Sequence, residues 1–415
     1  MRKSFWILLL VMALALSGTA MAAKTEISIW YSLGAEYSAP LEKLISDFNS
    51  SQNQIAVKGV FCGDYQATLE KLLAAVVSGK PPVLSQIEQM RAGQFIDNGS
   101  VVPLQNYINK DKEYNIKDYN SHILNACKVN GKIYSLPLNP STLLLYYNKD
   151  LFRKAGLNPE KPPTTWDEAY QMSQKISALG NNIVGMRLYP GDWTMEAIIW
   201  QFGGEVLSPN GRKVLFNQPE AVKALAFWKK MIDDGAAIWR GGREGSEADL
   251  SGRVGMVFRS SGSVEYMKAN VKYDLGVAVM PKAKQFATPI GGANIYLFDK
   301  ASSAEKEAAV KFIKFLTKPD NMLTWGINTG YMVSRLSALN SSQMQGLMKE
   351  DPRRMVTYNQ LAYARPRPSF GPYPEINKIM MDAFDEALLG KATPQAALDA
   401  AARKAGAVIK EYYGN

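Results

Sequence analysis

The sequence holds one histidine, His122, and two cysteines, Cys62 and Cys127, in 415 residues. A single histidine excludes multi-histidine metal centres and leaves one candidate for imidazole acid–base chemistry. A lone histidine is more often an ordinary hydrogen-bonded or surface residue, so His122 carries no catalytic assignment. No Cys-x-x-Cys or His-Glu-x-x-His spacing occurs, which removes the familiar zinc sites. There is no Gly-x-Ser-x-Gly elbow. Gly79-Lys80, Gly131-Lys132 and Gly390-Lys391 run on into Pro, Ile and Ala, so none is a phosphate-binding P-loop. Neither a cofactor nor a metal is expected. Paired carboxylates for glycoside hydrolysis stay open, because that pairing is spatial. A secreted hydrolase of sugars or phosphodiesters is therefore the enzyme reading that stays open.

Charge of one sign is not concentrated anywhere. The formal net charge of +10 is spread along the chain with no long Lys/Arg block, so no nucleic-acid partner is expected. With 47% hydrophobic and 21% charged residues the chain is an ordinary globular protein, long enough for two cores. Only one long apolar run exists, Phe5 to Leu16, behind the basic Met1-Arg2-Lys3 and ahead of Ala20-Met21-Ala22. This is the pattern of a cleavable signal peptide, residues 1–22, and the run is shorter than the ~20 residues that span a bilayer. No cysteine follows the run, so the exported chain is expected to be free of a lipid anchor; a periplasmic location and a monomeric state are expected as well. In that compartment Cys62 and Cys127 could pair, or remain two buried thiols; sequence alone does not choose.

Period-2 and period-3.6 patterns alternate. Ile27, Ile29 and Tyr31 mark a strand; Leu41, Leu44, Ile45 and Phe48 mark a helix face. A strand at Ile55–Phe61, a helix through Leu69, Leu72, Leu73 and Val76, and a strand at 83–87 follow. This alternation predicts a mainly parallel sheet covered by helices. Further strands are expected at 143–147, 254–259, 275–280 and 293–298. Thr165-x-x-Glu168 and Ser302-x-x-Glu305 are capping boxes, and Thr393-Pro394 opens the last helix. Gly241–Gly245 reads as a loop, and Arg365–Pro372 as the one long irregular stretch.

Several segments together resemble the solute-binding proteins of ABC importers. They include Ile27-Ser-Ile-Trp-Tyr-Ser32, Asn130-Gly-Lys-Ile-Tyr-Ser-Leu-Pro137, Leu145-Tyr-Tyr-Asn-Lys-Asp150, Ile290-Gly-Gly-Ala293 and Thr329-Gly-Tyr331. Within the maltose-binding-like group, the chain is most similar to the glycerol-3-phosphate-binding proteins. The resemblance implies an α/β fold of two lobes, the class II periplasmic type, hinged by three crossings. It places the crossings near Asn139–Pro140, Pro281 and Val333. One lobe would hold residues 23–139 and 282–332, the other 140–281 and 333–415. The implied partners are a small hydroxylated ligand (a sugar, polyol or glycerol phosphate) and the permease subunits of the inner membrane.

The ligand set implied by the resemblance is Tyr65, Glu88, Ser141, Trp193, Ser260, Gly292, Tyr331 and the position of Asn377. The chemistry is coherent: Glu88 accepts from ligand hydroxyls, and the serines and the Gly292 N–H are neutral partners. The tyrosines and Trp193 cover C–H faces. Taken singly, each aromatic fits core packing and Glu88 fits a surface ion pair. Asn377 departs from the family pattern, where an arginine for phosphate follows Pro-x-Ile. The departure leads to the expectation that a neutral sugar or polyol binds better than glycerol 3-phosphate, with Arg259, Arg365 and Arg367 as substitute cations.

Overall fold

The computed structural model describes residues 23–414; the expected signal peptide lies outside the described residues. Two separate sheets, each with its own core, form the two lobes. The first runs Ile55–Phe61, Thr25–Tyr31, Leu84–Glu88, Ala293–Phe298, Val101–Val102, with Ser135–Pro137 added beside Ala293–Phe298. Its first three strands are parallel, as the alternating pattern requires, and Ala293–Phe298 enters antiparallel. The second runs Ala237–Trp239, Val184–Leu188, Val254–Ser260, Ser141–Asn148, Thr288–Gly291, Ala364–Pro366, with Leu275–Ala278 alongside Ser141–Asn148. Ser141–Asn148 is central and buried at every position, which explains its continuous apolar run.

Both capping boxes form, and Thr393 caps the last helix from Pro394. The helix Ser303–Leu316 ends one residue short of Thr317, and Pro319 opens the next helix. Gly242–Leu250 is a helix, not a loop; its starting Gly242 sits at φ +62°, outside the helical range. Cys62 and Cys127 are separate buried thiols. Burial pushes the Cys127 thiol up to about 12.

The passages between lobes follow from sheet membership. The chain changes sheet between Pro137 and Ser141. The return falls at Gly292 and not near Pro281, because Thr288–Gly291 pairs with Ser141–Thr142 of the second sheet. The last passage falls after Glu350 and not at Val333. Helices Leu336–Leu339 and Ser342–Glu350 bury Ala338, Met344 and Met348 in the first core. The helix Arg353–Gln360 then packs on Ser141–Asn148 and sends Val356 to the second core.

Asp351 holds this last passage, taking Lys268 at 3.0 Å and Arg353 at 2.6 Å. Burial opposes its ionisation, but the two cations prevail and lower its pKa to about 2. A depressed carboxylate contributes stability that is complete above its unfolded value of 3.8 and is lost as pH falls through 2. Asp351→Asn should cost about 1 kcal/mol at neutral pH, after allowance for solvent screening, and nothing near pH 2. Urea midpoints at the two pH values check this.

Candidate functional site

The expected ligand residues converge where the chain passes between lobes. Asn139 is fully buried there and links three of the elements. Its Nδ2 donates to the Tyr65 hydroxyl at 2.9 Å, and its Oδ1 accepts from Gln86 Nε2 at 2.7 Å. Gln86 Oε1 in turn accepts from the Ser32 N–H at 2.8 Å. Tyr65 is the first residue of the helix Tyr65–Val77, which Asp64 caps. Gly292 lies directly on Asn139, since a Cβ there would sit 1.9 Å from the Asn139 carbonyl oxygen. Ser141 pairs with Gly291, and the Trp193 ring covers Gly291 so closely that a Cβ would approach it to 2.5 Å. Trp193 is half-buried at the start of the helix Asp192–Gln201.

Tyr331 stands over Gly262, next to Ser260, with ring centroids 5.2 Å from Tyr37 and 6.3 Å from Trp325. Ser260 ends the strand Val254–Ser260, and its Oγ accepts from the Gly262 N–H at 3.1 Å. Burial, then the neighbouring Tyr331, raises the Tyr65 pKa well above the ordinary tyrosine value, so its hydroxyl stays a neutral donor and acceptor.

Trp193, Ser260 and Ser263 share a recess of about 190 Å³ with Arg187, Tyr189 and Arg259. Arg187 is held by three bonds: Nε and Nη2 grip Asp249 at 2.6 and 2.5 Å, and Nη1 donates to the Arg240 carbonyl at 2.7 Å. Arg259 gives only Nη1 to Asp249, at 2.7 Å. Against Asp249, two guanidinium groups leave one positive charge at the recess wall; Asp192, which also acts on Tyr189, is held by Arg367. Larger recesses of about 450 and 570 Å³ lie beside Trp200 and beside the helix Gly242–Leu250. Neither gathers the expected ligand residues.

Of the expected residues, Asn377 stands elsewhere, and Glu88, level with Ala293 beside Gly292, is at the passage but already engaged. Asn377 is 1% exposed in the helix Tyr373–Leu388, and its Nδ2 donates to Glu196 at 3.2 Å. It is buried against Glu196 and Tyr373 and does not line the recess. Glu88 ends the strand Leu84–Glu88 and is occupied by two arginines, Arg91 at 2.7 Å and Arg367 at 3.0 Å. Burial and the nearby Asp192 push its pKa up, against the pull of Arg367 and Arg91. Asp192 and Glu196, one turn apart, also hold Arg367, at 2.9 and 2.8 Å. Sequence reasoning named neither Asp192 nor Glu196; their i, i+4 spacing on one helix was the available signal.

The model of the bacterial extracellular solute-binding protein family matches residues 43–355. The chain belongs to that family. It is 27% identical to the sn-glycerol-3-phosphate-binding periplasmic protein UgpB of Pectobacterium atrosepticum, over 96% of this chain and 95% of that one. It is 28% identical to the Salmonella typhimurium protein of the same name, over 97% and 96%. Among solved structures, the cyclic α-maltosyl-1,6-maltose binding protein of Arthrobacter globiformis matches with a TM-score of 0.82 and 27% identity, over 94% of this chain and all of that one. UgpB of Mycobacterium tuberculosis, solved with glycerophosphocholine, has a TM-score of 0.84 at 24% identity, over 94% and 100%, and supports the fold. The solute-binding protein therefore has the two-lobed α/β fold of maltose-binding-like proteins. The hydrolase alternative finds no support among these relatives.

The placement of Trp193 yields a prediction. Trp193→Ala is expected to weaken ligand binding by about tenfold, while the melting temperature moves little, because the ring is half-buried at the recess wall. Calorimetry paired with thermal denaturation checks it. A large fall in melting temperature with unchanged affinity would assign the ring to the core.

Proposed function

We propose that the protein binds a small hydroxylated solute of the sugar, polyol or glycerol-phosphate type in the periplasm, without turnover, and delivers it to an ABC importer. Within that range we favour a member carrying an anionic group. The observation that carries this reading is the recess where Trp193 and Ser260 meet the surplus positive charge of Arg259 and Arg187 over Asp249. A buried anion needs a compensating charge, and the recess has one. On this reading Trp193 and Tyr331 would cover C–H faces, while Ser141, Ser260 and the Gly292 N–H would meet hydroxyls. The periplasmic relatives named for glycerol 3-phosphate support the same reading. It replaces the expectation drawn from Asn377, since the cation is supplied from the strand Val254–Ser260.

A thermal-shift panel of glycerol 3-phosphate, glycerol and maltose tests it, with product analysis of each incubation. A ligand at 100 times its Kd is expected to stabilise the fold by about 2.7 kcal/mol. Glycerol 3-phosphate should give the largest shift and be recovered intact. A shift with maltose or glycerol alone would contradict the anionic preference, and turnover of any compound would contradict the binding role.

A further inference from the structure

Solute binding gives no role to the proline-rich segment Arg365–Pro372, yet it is stitched to both lobes. The segment leaves the second sheet as the strand Ala364–Pro366, parallel to Thr288–Gly291. Past that strand it lies against the first lobe. Ser369 Oγ donates to the Gln89 carbonyl at 2.9 Å, and the Gly371 N–H donates to Asp97 at 3.1 Å. Gly93 of the first lobe touches the segment's backbone: a Cβ there would lie 2.4 Å from the Phe370 carbonyl carbon. Pro366, Pro368 and Pro372 fix their own φ angles, so this strap is stiff.

Arg367 sits at its centre with a side chain 1% exposed. Its Nε and Nη2 form a fork on Glu196, at 2.8 and 2.9 Å, and Nη2 also reaches Asp192 at 2.9 Å. Both carboxylates belong to the second lobe. Nη1 crosses the seam to Glu88 of the first lobe at 3.0 Å, opposite the oxygen held by Arg91. Opening the seam here would part Glu88 from Arg367 and leave it Arg91 alone, while Asp192 and Glu196 keep the guanidinium; losing one partner of a buried ion cluster is costly. The planar five-donor fork suits this arrangement; an ammonium cannot match all four contacts.

We propose that Arg367 is a positioning residue for lobe closure: carried by the strap, it fixes the Glu88 carboxylate and sets the angle at which the two lobes meet. The part of this inference that concerns affinity rests on the proposed solute binding; the part that concerns the angle does not.

The test uses the mature chain and the variants Arg367→Lys, Arg367→Gln and Gly93→Ala. Solution scattering without ligand reads the angle. Stopped-flow fluorescence with glycerol 3-phosphate reads the rates. The unliganded radius of gyration should rise in Arg367→Gln and Gly93→Ala, with Arg367→Lys between them and the parent. Dissociation should quicken by about ten- to a hundredfold in Arg367→Gln, the effect of losing one charge-assisted hydrogen bond, while association stays within a few-fold. Partial rescue by lysine is expected because it keeps the charge and loses the fork. If Arg367→Gln does not fold, Gly93→Ala leaves every charge in place and still decides. Unchanged radii in Gly93→Ala and Arg367→Lys would overturn the proposal. If the parent does not bind glycerol 3-phosphate, the functional reading is at fault, and the radii judge the strap independently.

Discussion

Gly292→Ala is expected to destabilise the protein by about 3 kcal/mol or more. Two costs combine. Gly292 has φ +88°, a conformation that strains an alanine by roughly 1–3 kcal/mol. The added Cβ would also lie 1.9 Å from the Asn139 carbonyl oxygen, and overpacking of that kind typically costs about 1–3 kcal/mol. Relief requires moving Asn139, whose side chain holds both Tyr65 and Gln86. Ligand binding should therefore weaken along with stability. Urea denaturation measures the first effect and calorimetry the second. A midpoint within about 0.5 kcal/mol of the parent, the range of ordinary surface substitutions, would show that the crossing is more plastic than this geometry implies.

Arg259→Gln is expected to cut glycerol 3-phosphate affinity by about ten- to a hundredfold, the equivalent of one charge-assisted hydrogen bond. The fold should hold, because Arg187 keeps both oxygens of Asp249 engaged. What disappears is the positive charge in excess of Asp249. Affinity for an uncharged polyol should change little, so the ratio of the two affinities separates electrostatic from packing effects. Calorimetric titration of both ligands into both proteins decides it. Equal losses for both ligands would mean that Arg259 shapes the recess without selecting charge.

Local features were readable from the sequence because local chemistry fixes them. Thr165 and Glu168 need only each other to cap a helix, and Ile27, Ile29 and Tyr31 face one core whichever strands flank them. The crossings were less readable, because they depend on which sheet accepts a short strand. Thr288–Gly291 has four residues, too few to show a period, and its partner strand begins at Ser141. Helices Leu336–Leu339 and Ser342–Glu350 look like any amphipathic pair until the first core is there to receive Met344 and Met348.

The site divides along the same line. Tyr65, Ser141, Trp193, Ser260, Gly292 and Tyr331 carry family motifs in their own neighbourhoods, and the fold brings them to the passages between lobes. The ion cluster carries no local mark. Arg367 and Glu88 are 279 residues apart in sequence, and an arginine between prolines reads by default as solvated. Only the three-dimensional meeting of Glu88, Asp192 and Glu196 makes Arg367 a buried residue. Asn377 gave the opposite lesson. A missing arginine drew attention to that position, but the charge at the recess comes from Arg259 and Arg187, over a hundred residues earlier.

Solution scattering of the protein with and without saturating glycerol 3-phosphate tests the central claim most directly. Two lobes joined by three passages, with the proposed ligand residues at the passages, should close as a hinge on a bound solute. The account predicts a smaller radius of gyration at constant mass when the ligand is bound. A radius that does not change under conditions where calorimetry shows the site filled would contradict it.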